Sequence, residues 1–187
     1  MEIRLAADLQ EDSIVDGEGI RAVLWTQGCP HHCPGCHNPG THDFNGGMAV
    51  DVEDVKDRIY DLKGHDGITF SGGDPFVQPK ACAEIARYAR SLGYNIWCYT
   101  GYTFEHLVAL SKSKPEIMEF LKEIDILVDG KFELEKKSLS ALFRGSTNQR
   151  LVMVKESLEQ QMTVLKDENV EEEIFSLSPR KEEGLYV

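Results

Sequence analysis

Short apolar runs bounded by glycine or polar residues recur along the chain, at Ile20 to Trp25, Ile68 to Phe70, Tyr94 to Tyr99, Ile124 to Val128 and Leu151 to Val154. Their length suits buried strands. Between them apolar residues fall at helical spacing. Val52, Val55, Ile59 and Leu62 mark one helix with Asp51 as its N-cap, and Ala81 to Leu92 marks a second that ends at Gly93. Phe104 to Leu110 and Ile117 to Leu121 give two more helical pieces. Strands alternating with helices predict βαβ units, right-handed crossovers and a mostly parallel sheet. Too few units occur to close an eight-stranded barrel. The expected fold class is therefore α/β, a partial (open) β/α barrel of about five to six parallel strands with outer helices.

In such folds ligands gather where the carboxyl ends of the strands run into loops. Here those loops read GCPHHCPGCHNPG after the first strand, SGGDP after the second, TGYT after the third and DGKF after the fourth. Four polar or glycine-rich loops should converge on one rim.

Composition narrows the setting. A chain of 187 residues with 41% apolar content suits one domain with its own core. It contains no run of 18 apolar residues, and MEIRLAADLQEDS lacks the basic-then-apolar pattern of a signal peptide, so a cytoplasmic protein without a membrane partner is expected. The net charge of −12 argues against direct binding to a nucleic-acid backbone. Half of that charge is local, since Glu156 to Val187 holds nine acids and three bases. The division expected is a domain over residues 1–155 and an acidic C-terminal appendage, helical or disordered, over residues 156–187.

The chemistry lies in Cys29, Cys33 and Cys36, a C-x3-C-x2-C run directly after the first strand. Five cysteines is an odd number, and three crowded into eight residues suit a metal centre better than disulfides. Iron–sulfur cubanes are usually held by four thiolates, so three leave one iron with an open position. The alternative is a zinc site completed by His31, His32, His37 or His42, making the chain a zinc-binding interaction module. A zinc site usually pairs two short ligand-bearing halves, and no second pair occurs in the sequence. Cys82, on a helix, and Cys98, on a strand, read as buried small hydrophobes, and Trp25 and Trp97 as core.

CPHHCPGC with a downstream SGGDP resembles the radical S-adenosylmethionine superfamily. DSIVDGEGIRAVLWTQGC, HNPGTHDF and GSTNQR narrow the resemblance to the small activating enzymes of glycyl-radical proteins, closest to the branch serving anaerobic ribonucleoside-triphosphate reductase. The resemblance spans about residues 1 to 155. It implies one 4Fe-4S cluster on Cys29, Cys33 and Cys36, whose open iron chelates S-adenosyl-L-methionine. One electron then breaks the sulfur–C5′ bond, and the resulting 5′-deoxyadenosyl radical takes a hydrogen atom from a glycine of a large partner, anaerobic ribonucleotide reductase. No catalytic residue beyond the cluster and cosubstrate site is implied. An external electron donor such as flavodoxin is, because no further ferredoxin-type cysteine set exists.

By the same resemblance Gly72, Gly73 and Asp74 meet the cosubstrate's ammonium, and Gly35, Cys36 and His37 line the adenosine. Asp129 and Lys131 contact the ribose or methionine portion, with Thr100 and Asn148 as weaker candidates. Asp74 replaces the commoner glutamate, and Gly35 replaces an aromatic residue and cannot stack. Read without the resemblance, these residues stay open to plainer roles: a Gly-Gly-Asp-Pro turn, an exposed loop histidine and a surface ion pair. The same motif in a radical enzyme acting on another glycyl-radical partner or on a small molecule is the remaining alternative.

Overall fold

The structure, a computed structural model, describes residues 1–166. Its elements run β1 (Glu2–Leu5), β2 (Gln10–Ser13), β3 (Arg21–Thr26), β4 (Met48–Asp51), α1 (Val52–Asp61), β5 (Gly67–Gly72), α2 (Pro79–Ser91), β6 (Asn95–Tyr99), α3 (Phe104–Leu110), α4 (Pro115–Leu121), β7 (Ile126–Asp129), β8 (Arg150–Met153) and α5 (Val154–Gln160). One mixed sheet has the order β4-β1-β3-β5-β6-β7-β8, with β2 paired to β3 outside that path.

The predicted strands and helices all form, but fewer strands run parallel than expected. Among the described residues only β3, β5, β6 and β7 do so. β8 returns antiparallel along β7. A parallel return needs a crossover, usually a helix, whereas residues 130–149 hold only one short 3-10 turn, so the chain re-enters the sheet from the end at which it left. β1, β2 and β4 add antiparallel pairings at the other side. They have four residues each, too few for a clear period of two.

The strands' alternation assigns two faces. Ala22, Leu24, Ile68, Phe70, Ile96, Cys98, Leu127 and Val152 share one buried cluster with Ile59, Ile85, Leu107 and Phe120 of the helices. Each large aliphatic side chain buried there contributes about 2 kcal/mol. Asp51 caps α1 by accepting from the Glu53 amide at 3.1 Å, as the sequence predicts. The opposite face carries Arg21, Thr69 and Trp97 near the strands' amino ends and Trp25, Ser71 and Tyr99 near their carboxyl ends. A smaller cluster of Trp97, Val128 and Leu151 sits on that face beneath Phe143.

The expected core boundary at Lys155 falls inside α5. Ser157 is buried, the Met153 amide donates to the Val164 carbonyl at 2.9 Å, and the Lys166 amide donates to Leu151 at 2.9 Å. Among the described residues packing therefore extends at least to Lys166. The rest of the expected appendage, residues 167–187, lies outside the described residues. Among the described residues no helix is long and apolar enough to cross a membrane.

A candidate cluster and cosubstrate site

The loops leaving β3, β5, β6 and β7 meet at one rim, as the parallel strand ends predict. They enclose a cleft of about 280 Å³ whose wall includes Cys29, Cys33, Cys36, His37, Gly72, Gly73 and Thr100. The β3 loop is pinned along its length: the Gly28 amide donates to Thr41 at 2.8 Å and the Cys29 amide to His42 at 3.2 Å. The β5 loop is laced to it, with the Gly73 amide on Thr26 at 2.7 Å and the Asp74 amide on Gly28 at 2.8 Å. Gly73 has to be glycine at this approach, because a Cβ there would overlap the Gly28 carbonyl.

The three thiols have the chemistry of cluster ligands. Cys29 is 8% exposed, and burial pushes its thiol up to about 11. Burial raises Cys33 as well. A buried thiol raised in this way becomes a thiolate when a strong positive charge lies beside it, which iron would supply to Cys29 and Cys33. The Asn38 amide donates to Cys36 Sγ at 3.4 Å, the type of contact that tunes a bound cluster. Of the histidines of the zinc alternative, one is tied to Asp74, while His37 and His42 line the same cleft as the cysteines and His42 Nε2 is buried without a hydrogen-bond partner. His31 Nε2 donates to Asp74 at 2.6 Å, His37 lies against Phe132 at 4.9 Å, and His32 packs edge-on to His42 at 5.1 Å.

Not every residue singled out in the sequence reaches the cleft. Gly35 turns away in a left-handed conformation, its backbone close to Leu134. Asp74 is fully buried, and its carboxylate accepts from the Phe76 amide, the Thr100 hydroxyl, the Gly101 amide and His31. A carboxylate offers about four acceptor sites, and four donor groups already converge on this one. Its side chain therefore does not present itself to a ligand ammonium, whereas the backbone of Gly72 and Gly73 does line the cleft.

Asp129, Lys131 and Asn148 line an adjoining pocket of about 530 Å³ that meets the first at His31, Gly101 and Gly130. Asp129 is buried there and held by Arg150 and the Phe104 amide. The Asn148 amide group donates to the Lys131 carbonyl at 2.8 Å. Arg150 bridges Asp129 and Glu105. Arg144 donates to the Gln149 carbonyl at 3.2 Å.

Trp25 departs from its expected core role. It is only half-buried, lines the cleft and donates through Nε1 to Gln10 at 3.0 Å. Tyr99 and Phe132, also on the wall, were not singled out in the sequence. Strand parity finds the first two, because Trp25 and Tyr99 alternate with the helix-facing Leu24 and Cys98. Phe132 lies in a loop with no period to read. Cys82 and Cys98 are fully buried, as expected, and Trp97 is core.

Comparison with known proteins adds a family. One described as a 4Fe-4S single cluster domain matches residues 15–152. The anaerobic ribonucleoside-triphosphate reductase-activating protein of Pasteurella multocida is 35% identical over 145 residues, covering 73% of this chain and 89% of its own. The protein of the same name from Salmonella typhi is 37% identical over 145 residues, covering 73% and 90%. Among solved structures, that of QueE from Escherichia coli aligns over 55% of this chain and 54% of its own, with a TM-score of 0.45 and 16% identity.

Proposed function

Because the chain belongs to the family of anaerobic ribonucleoside-triphosphate reductase-activating proteins and has their 4Fe-4S single cluster domain, we infer that it is a radical S-adenosylmethionine activase. It reductively cleaves S-adenosylmethionine and generates a glycyl radical on anaerobic ribonucleoside-triphosphate reductase. The observation that carries this reading is the meeting of three thiols and a Gly-Gly backbone on one cleft at the parallel strand ends.

Cys29, Cys33 and Cys36 hold the cluster, and their number leaves one iron for the cosubstrate. When bound, that cluster supplies the electron that breaks the sulfur–C5′ bond of S-adenosylmethionine. The chain's own residues do the positioning. Gly72 and Gly73 bring backbone close to the cosubstrate, while Thr100 and His37 form part of the wall around it. Lys131 and Asn148 serve its outer portions from the adjoining pocket. The face of the sheet away from the helices is the concave interior of a partial barrel, and its open rim admits a glycine loop of a macromolecular partner. Electrons come from an external carrier such as flavodoxin, since both cysteines outside the motif are buried in the core. The protein works in the cytoplasm.

The test is anoxic. Reconstituted protein should be brown, with iron and sulfide near one cluster per chain. Mixed with the reductase, S-adenosylmethionine and a reductant, it should give a glycyl doublet in electron paramagnetic resonance. Colourless protein holding one zinc would reject the reading. Cosubstrate cleavage without the doublet would redirect it to another partner or to a small molecule.

A further inference from the structure

Two tethers bracket Cys29, and both end on one residue. The Asp74 amide holds the Gly28 carbonyl at 2.8 Å on one side of Cys29, and the Asp74 carboxylate holds His31 Nε2 at 2.6 Å on the other. Both side chains are removed from water, at 6% exposure for His31 and 0% for Asp74. The imidazole fits because residue 101 is glycine, where a Cβ would overlap the ring, and Tyr102 meets it edge-on at 4.5 Å. His32, the next residue, holds a left-handed φ of 47° that side chains rarely adopt. Such a turn persists only when its surroundings hold it, and the anchored ring of His31 is the adjacent constraint.

We propose that His31 and Asp74 form a buried clamp that fixes the loop between Cys29 and Cys33, and that Asp74 acts on the cosubstrate only through this clamp. His31 and Asp74 are thus positioning residues, joining the cysteine loop to the loops after β5 and β6. This rests on the proposed function for what the loop carries, but not for the clamp itself. The four donors on Asp74 argue against the direct ammonium contact that SGGDP suggests, and they give the shorter acid a role. It sits at the centre of the donor set and reaches His31, which lies 43 residues earlier.

Apo protein tests the clamp without a cluster. Peptide mass spectrometry follows iodoacetamide labelling of Cys29, with the half-buried Cys36, which lies outside that loop, as the internal reference. In His31→Ala and in Asp74→Asn, Cys29 should label about tenfold faster, since the first removes the ring donor and the second removes the charge that strengthens its bond and one acceptor of the set. The double variant should add nothing further. His31→Gln, whose amide nitrogen approximates Nε2, should restore slow labelling. Unchanged labelling in both single variants would overturn the proposal. Thermal melting of the same apo proteins detects global unfolding; if His31→Ala or Asp74→Asn melts, His31→Gln against His31→Asn decides, because only Gln places a donor at that reach.

Reconstituted protein supplies the second readout. Iron per chain should fall together in His31→Ala and Asp74→Asn, while the cluster-loaded fraction keeps its affinity for S-adenosylmethionine, read from the shift of the reduced cluster's paramagnetic resonance. A tenfold loss of that affinity in Asp74→Asn, with full iron and independent of His31, would make Asp74 a direct ligand and defeat the clamp. Wild-type protein that takes up no iron would count against the proposed function instead, and the labelling result would still stand.

Discussion

The face of the sheet turned away from the helices has two ends that handle polar groups in opposite ways. At the amino ends of the strands Arg21 is fully buried, and each of its five N–H groups finds an oxygen: Thr69 Oγ1, Asn95 Oδ1, and the carbonyls of Glu18, Ile68 and Asn95, at 2.7 to 3.2 Å. Its guanidinium carbon lies 5.4 Å from the Trp97 ring centre, and burial pulls its pKa down to about 10. At the carboxyl ends three thiols and glycine backbone line a cleft. The first end is closed by its own side chains, and the second has donors suited to something the chain does not encode. A buried polar group that is fully partnered holds structure, and a converging set that is not indicates where a ligand goes.

The sharpest way to break this contrast is at the open end. Replacing Cys29, Cys33 or Cys36 by alanine should bring cluster iron and S-adenosylmethionine cleavage to background. The unfolding free energy of the apo protein should stay within about 1 kcal/mol of the parent, measured by urea denaturation. Full cleavage in any one of the three would remove that cysteine from the ligand set. At the closed end the effect should invert. Arg21→Ala leaves five acceptors without their donor and should cost about 3–5 kcal/mol in urea, while cleavage per folded chain is retained. Lost cleavage at unchanged stability would show that the two ends are not separate.

A smaller effect tests how closely the open end is built. Gly73→Ala places a methyl on the Gly28 carbonyl, so either the β5 loop or the cysteine loop must move. Displacement of about 1 Å in a site of this kind costs on the order of a hundredfold in rate, so cleavage should fall by that amount while iron content is kept. An unchanged rate would mean that the two loops need not touch.

These positions also show what the sequence carries and what it hides. The four parallel strands, their helices and the cysteine triad are visible because each depends on local signals: a short apolar run, a 3.6-residue period, a three-cysteine spacing. The convergence of four loops follows from topology, since parallel strands end on one rim. The antiparallel return of β8 is less visible, because residues 130–149 give no sign of which end they exit. Asp74 is the clearest case of partial legibility. SGGDP marks its place, but its four donors come from residues between two and 43 positions away, and no local pattern reports them. Arg21 is harder still, since an arginine opening a strand looks solvent-facing until Thr69 and Asn95 are brought beside it.

The charged edge of the open end gives the gentlest test. Asp129 stands at the end of β7 like a ligand contact, yet it is buried against Arg150, which also holds Glu105 through paired contacts at 3.0 and 2.8 Å. Hydrogen bonds from Arg150 lower the Glu105 carboxyl from 4.5 to about 2. A carboxylate lowered in the folded state stabilises it above the unfolded value, and that contribution fades as pH falls from about 4.5 toward about 2. Glu105→Gln should therefore narrow the difference between apo-protein urea midpoints at pH 7 and pH 3. Because Glu105 is more than half exposed, solvent screening keeps the change small. Cluster content and cosubstrate affinity should not move. If Glu105→Gln weakened S-adenosylmethionine binding instead, the Asp129, Arg150 and Glu105 chain would belong to the cleft's chemistry, and the boundary of the open end would have to be drawn beyond β7.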